Sequence, residues 1–151
     1  MSYEIKQDGK FKFIEEGEGD VLMLLHGLFG ALSNFQDLIE HFRKQYKVVV
    51  PILPLLEMDL LNTTVGGLQK FVNRFIDQRN YTAINLLGNS LGGHVALVHI
   101  LRNPAKIKSL RSCNALPTLS CNLSLGILPF IRSLASIGYN LKQDTQTGTF
   151  A

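Results

Sequence analysis

The sequence predicts an α/β fold, a mostly parallel sheet with helices on both faces. Two observations predict it. Short apolar runs alternate with longer segments whose apolar residues recur at helical spacing, the order of parallel strands joined by helical crossovers. The run Val21-Leu22-Met23-Leu24-Leu25 is apolar throughout, as a strand buried on both faces requires. A chain of 151 residues is long enough for one domain with its own core.

The elements follow in order. Residues 10–15 alternate Phe11 and Phe13 with Lys10 and Lys12, the pattern of a half-exposed edge strand. Gly17-Glu18-Gly19-Asp20 reads as a turn into the strand 21–25. Ser33-Asn34-Phe35-Gln36 fits a capping box, with Ser33 as N-cap and Gln36 three residues on. Phe35, Leu38, Ile39 and Phe42 then recur at helical spacing. Residues 46–50 form a β-branched run, the next strand, which Pro51 and Pro54 break into a loop. Thr63 or Thr64 caps a helix carrying Val65, Leu68, Phe71, Val72, Phe75 and Ile76. Residues 81–87 form a strand, residues 91–102 a helix ended by Asn103-Pro104, and residues 107–110 a further short strand.

Between the strand at 81–87 and the helix after it lies Gly88-Asn89-Ser90-Leu91-Gly92-Gly93. A serine flanked by glycines at a strand-to-helix turn is the signature of a nucleophile elbow. The turn is tight, so small residues are needed on both sides of the serine. The helix N-terminus behind the hydroxyl favours developing negative charge. A phosphate-binding loop is the competing reading, but the P-loop lysine is absent and the glycine spacing differs.

His26-Gly27-Leu28-Phe29-Gly30 follows the strand at 21–25, and Gly88-Asn89-Ser90-Leu91-Gly92 follows the strand at 81–87. In this order and setting the two motifs resemble the α/β-hydrolase superfamily, in particular its esterase and C–C hydrolase branch. The match covers about residues 10–111. The resemblance implies Ser90 as nucleophile and the backbone N–H groups of Leu28 and Leu91 as the oxyanion hole. It implies that His26, Gly27, Gly88 and Gly92 shape the loops. It also implies a serine hydrolase acting on a small-molecule ester or related acyl bond, through an acyl-enzyme at Ser90. The alternative is a catalytically inactive remnant or binding module that retains the hydrolase core.

The chain departs from the family at its second half. A serine needs a histidine to take its proton and an acid to orient that histidine. In this family both follow the serine, yet after Ser90 the histidines are His94 and His99, on the next helix, and the acid is Asp144. His94 is placed on a helix flank, His99 on the helix surface or between helices, and His41 toward solvent. The composition also changes after Arg111. This divides the chain into 1–111, the N-terminal part of an α/β-hydrolase domain, and 112–151, an atypical C-terminal segment. The segment reads as a frameshifted or truncated product, or as divergence into a short cap, and the fold as a truncated α/β-hydrolase fold. A sheet missing strands on one side predicts self-association through the exposed edge.

Composition excludes other classes. The net charge is +3, with the bases scattered and not interleaved with aromatics, so no nucleic-acid surface is expected. No apolar stretch is long enough for a membrane span, and Met1-Ser2-Tyr3-Glu4 lacks a secretory pattern, so a cytoplasmic location is expected. Cys113 and Cys121 then read as free thiols in preference to a disulfide. No metal and no cofactor are expected. The apolar loop 52–56 reads as core packing, with the lining of an acyl pocket as the alternative.

Overall fold

The computed structural model describes residues 3–27, 35–55, 57, 64–113 and 123–124. Their sheet is seven-stranded, in the order β1-β2-β4-β3-β5-β6-β7. The strands are β1 (Lys6–Asp8), β2 (Phe11–Glu16), β3 (Val21–Leu25), β4 (Lys47–Pro51), β5 (Ile84–Asn89), β6 (Ile107–Cys113) and β7 (Leu123–Ser124). Strands β4, β3, β5 and β6 run parallel. Antiparallel pairs flank them, β1 with β2 and β2 with β4 on one side and β6 with β7 on the other.

Strand alternation divides the core in two. Met23, Leu25, Val49, Phe11 and Phe13 face the same side as the buried residues of α2 (Val65–Gln78) and α3 (Leu91–Arg102). Leu22, Leu24, Val48, Val50 and Ile14 face the other side, against Ile39 of α1 (Gln36–Phe42). The sheet is thus covered by helices on both faces. Phe75 of α2 anchors the larger cluster, with ring centroids 5.4 Å from Phe11, 5.2 Å from Phe13 and 6.0 Å from Tyr81. Tilted and edge-on aromatic pairs of this kind add about 0.5–1.5 kcal/mol each beyond their burial.

The chain order sets where a ligand can sit. From β3 the chain crosses through α1 to β4 on one side of β3, then through α2 to β5 on the other. Right-handed crossovers in opposite directions place α1 and α2 on opposite faces. The crevice at the carboxyl ends of β3 and β5 is therefore the switch point of the sheet, the usual ligand position in open α/β folds. The register brings Leu25 beside Gly88 there.

The structure corrects several boundaries. The strand expected at an edge over residues 10–15 is second from the edge, because β1 pairs with it. The strand expected to start at residue 81 starts at Ile84, since Asn80 and Ala83 both take left-handed φ of 54° and break the extended chain. The last parallel strand does not stop at Leu110. It continues through Arg111 and Ser112 to Cys113, paired along its length with β5. Thr64 is the N-cap of α2, its hydroxyl accepting from the Gly67 N–H at 3.0 Å. The capping box expected at Ser33 is not the start of α1, which begins at Gln36 with Phe35 in the N-cap position and no side-chain cap bond. Thr63, Ser33 itself, Cys121, Asp144 and most of segment 112–151 lie outside the described residues.

Candidate active site

Ser90 stands between β5 and α3 with φ 53° and ψ −119°, a backbone conformation that a residue with a Cβ rarely adopts. Such residues cost of order 1–3 kcal/mol and persist only where their surroundings over-determine them. Here the surroundings are two glycines in close quarters. A Cβ on Gly88 would sit 2.5 Å from the Gly92 carbonyl oxygen and 2.6 Å from the Gly93 Cα. A Cβ on Gly92 would sit 2.7 Å from the His26 carbonyl oxygen and closer still to that of Leu25. The turn therefore closes on itself at Gly88 and presses against the end of β3 at Gly92. Ser90 is left exposed at the head of α3.

The loop after β3 arrives at the same place. Gly27 packs on the serine, so that a Cβ there would lie 3.1 Å from Ser90 Cβ and 3.6 Å from Ser90 Oγ. His26 is buried, at 6 % exposure, and both of its ring nitrogens face backbone. The Leu53 N–H donates to Nε2 at 2.9 Å, which makes Nδ1 the protonated nitrogen, and Nδ1 donates to the Gly27 carbonyl at 2.9 Å. Leu53 is itself buried in the larger core cluster, so His26 ties the loop after β3 to the segment after β4.

Leu91 is the first residue of α3, where geometry leaves the backbone N–H without an intrahelical carbonyl. That N–H is adjacent to Ser90, with the positive end of the helix dipole behind it. Leu28, expected to supply the second donor, lies outside the described residues, as do Phe29 and Gly30.

The other described histidines stand apart from the serine hydroxyl. His94 donates from Nδ1 to the Ser90 backbone carbonyl at 3.1 Å, one turn along α3. His99 is fully buried between α3 and α2, its Nδ1 3.3 Å from Gln69 Nε2. Burial, with Lys106 adding to it and Asp77 opposing, pushes its pKa down to about 4. His41 is exposed on α1 and meets the Phe42 ring edge-on. The Gln69–His99 contact joins residues thirty positions apart, and no local pattern in the sequence signals it. Among the described residues no group of His, Cys, Asp and Glu gathers as a metal site, and no helix is long and apolar enough to cross a membrane.

Known proteins resemble the chain over most of its described residues. Over 109 residues the chain is 31 % identical to an sn-1-specific diacylglycerol lipase of Xenopus laevis, covering 66 % of this chain and 33 % of the lipase. Over 105 residues it is 28 % identical to the dihydrolipoyllysine-residue acetyltransferase component of the acetoin cleaving system of Cupriavidus necator, covering 67 % and 28 %. Among solved structures it resembles MGS-MChE2, an alpha/beta hydrolase enzyme from the metagenome of lagoon sediments at Mar Chica, Morocco. That match has a TM-score of 0.70 and 45 % identity, over 72 % of this chain and 50 % of the other. The chain thus spans a half or less of the length of these proteins. The family model for the alpha/beta hydrolase fold matches residues 20–131, most of the chain. The chain belongs to the alpha/beta hydrolase fold family.

Proposed function

We propose that the chain carries the nucleophile of a serine hydrolase that acts on a small-molecule ester or related acyl bond. The observation that carries the reading is Ser90, exposed, at φ 53°, heading α3 at the switch point of the sheet. Ser90 Oγ would attack the acyl carbonyl and lose its proton to a base. The oxyanion of the tetrahedral intermediate would accept hydrogen bonds from the Leu91 and Leu28 N–H groups. One such donor is worth about 2.7–4 kcal/mol in comparable sites. Collapse would expel the alkoxide, which takes up a proton, and leave an acyl group on Ser90, which water then releases. Two relatives named as a diacylglycerol lipase and an acetyltransferase component support the acyl class. Gly27, Gly88, Gly92 and His26 serve as loop-shaping residues.

A second reading is a binding module that keeps the hydrolase core without turnover. The engagement of His26 with backbone and of His99 in the helix interface favours it. Labelling with a fluorophosphonate separates the two. In the catalytic reading the folded protein is labelled covalently and Ser90→Ala is not. A folded, monodisperse protein that takes no label rules out the acyl-enzyme and leaves the binding module.

A further inference from the structure

A cleft of about 260 Å³ opens between α2 and α3, lined by Gln69, Lys70, Asn73, Arg74, Arg102 and Asn103. It lies toward the end of α3 remote from Ser90. The twelve residues of α3 separate the two by roughly 18 Å at 1.5 Å rise per residue. Its walls carry three cations and no carboxylate. Among the described residues Lys70, Arg74 and Arg102 form no ion pair. The nearby carboxylate of Asp77 is taken up by the Asn73 amide and the Lys106 ammonium.

One of the cations is held in place from beneath. Arg102 Nη1 donates to Gln69 Oε1 at 3.0 Å. Gln69 is only 3 % exposed, and its amide nitrogen donates in turn to His99 Nδ1 at 3.3 Å. This buried relay sets the amide orientation and keeps the guanidinium over the cleft, with its remaining N–H donors available. Burying a glutamine and a histidine costs free energy that an apolar helix interface would not incur. The relay anchors the exposed Arg102 at the edge of the cleft.

We propose that this cleft binds a small oxyanion of the phosphate class, as free phosphate or as a phosphomonoester. Phosphate geometry matches an arginine fork flanked by point charges. At about 30 Å³ per water in the liquid, the cleft holds several waters' worth of space, enough for such a group. The C-terminal end of α3 contributes roughly half a negative charge, which three formal positive charges outweigh. The site is independent of the acyl chemistry proposed for Ser90.

The test is a titration of the full chain at low ionic strength, followed by amide NMR shifts, with inorganic phosphate in one arm and glycerol phosphate in another. Sodium chloride at matched ionic strength is the control. Saturable shifts confined to residues of α2 and α3 around the cleft are expected in at least one arm, and the tighter arm identifies the source. Lys70→Gln with Arg74→Gln, both exposed and so neutral for folding, should weaken binding at least tenfold. Lys10→Gln with Lys12→Gln should leave it unchanged. Gln69→Leu should weaken it while Lys70 and Arg74 remain, as expected of a positioning residue. Shifts no different from those in sodium chloride overturn the proposal, and so does equal affinity in the Lys70/Arg74 double variant. Fluorophosphonate labelling of Ser90 is unaffected by these variants, so failure here and failure of the acyl-enzyme reading are distinguishable.

Discussion

Gly92 and Gly27 both touch the elbow, yet they answer different physical demands. An added Cβ at Gly92 meets backbone carbonyl oxygens of Leu25 and His26, which cannot yield without moving the end of β3. Gly92→Ala should therefore cost roughly 2–3 kcal/mol, the upper range for overpacking. An added Cβ at Gly27 meets Ser90 Cβ at 3.1 Å, the Asn89 carbonyl oxygen at 3.4 Å and Ser90 Oγ at 3.6 Å, contacts that a few tenths of an ångström relieve. Gly27→Ala should thus cost less stability than Gly92→Ala but crowd the hydroxyl. Urea denaturation combined with the rate of fluorophosphonate labelling checks the pair. Gly92→Ala should lose the more stability, and Gly27→Ala chiefly labelling rate. Equal melting behaviour in the two variants would contradict the assignment of Gly92 to backbone approach.

The α2–α3 interface carries its own pH dependence. The native protein holds His99 neutral down to about pH 4, while the unfolded chain protonates it from its ordinary value of 6.5. Between those values the unfolded state binds more protons, so stability falls as pH falls from about 6.5 and levels off below about 4. The span corresponds to about 3 kcal/mol. In His99→Leu that slope should vanish, which urea titrations at several pH values between about 4 and 7 can read. A variant with the wild-type slope would assign the dependence elsewhere. This interface also marks what sequence patterns can and cannot carry. The apolar stripe of α2, its Thr64 cap, and the continuous runs of β3 and β4 were all readable, because burial on one stripe or on both faces leaves a local period. So were Ser90 and its glycines, because tight turns restrict residue type. The Gln69–His99 contact was not readable, since its partners meet only after α2 and α3 dock. Nor was β1: Lys6-Gln7-Asp8 holds no apolar residue, and it is a strand through main-chain pairing with β2.

At the scale of the whole molecule, a charged cluster apart from the elbow ties the edge of the sheet to its centre. The elbow and the His26 loop stand at the carboxyl ends of β5 and β3, while a charged clamp runs from the start of β5 across to β2 and β1. Arg79, at the end of α2, pairs with Glu15 of β2 at 3.1 Å and with Asp8 of β1 at 3.5 Å, and lies over the Phe13 ring at 5.0 Å. The Tyr81 hydroxyl, just before β5, donates to the same Glu15 carboxylate. The clamp thus joins the antiparallel hairpin β1–β2 to the parallel part of the sheet. Burial alone would raise the pKa of Glu15, but the Tyr81 hydrogen bond and the Arg79 guanidinium outweigh it and hold the carboxyl below its ordinary 4.5. A depressed carboxylate contributes its stability above the unfolded value, and that contribution is lost as pH falls through the folded value. This window lies below most of that of His99, so acid titration separates the two. Tyr81→Phe should cost about 1.5–3 kcal/mol near neutral pH, the worth of a hydrogen bond to a charged group. A double-mutant cycle of Tyr81→Phe with Glu15→Gln should give a coupling of about 0.5–3 kcal/mol that shrinks once Glu15 is protonated. Because the clamp stands apart from the elbow, these variants should label with fluorophosphonate at the wild-type rate wherever they remain folded. A coupling that persists unchanged into acid would show that the carboxylate charge is not what joins the hairpin to the sheet.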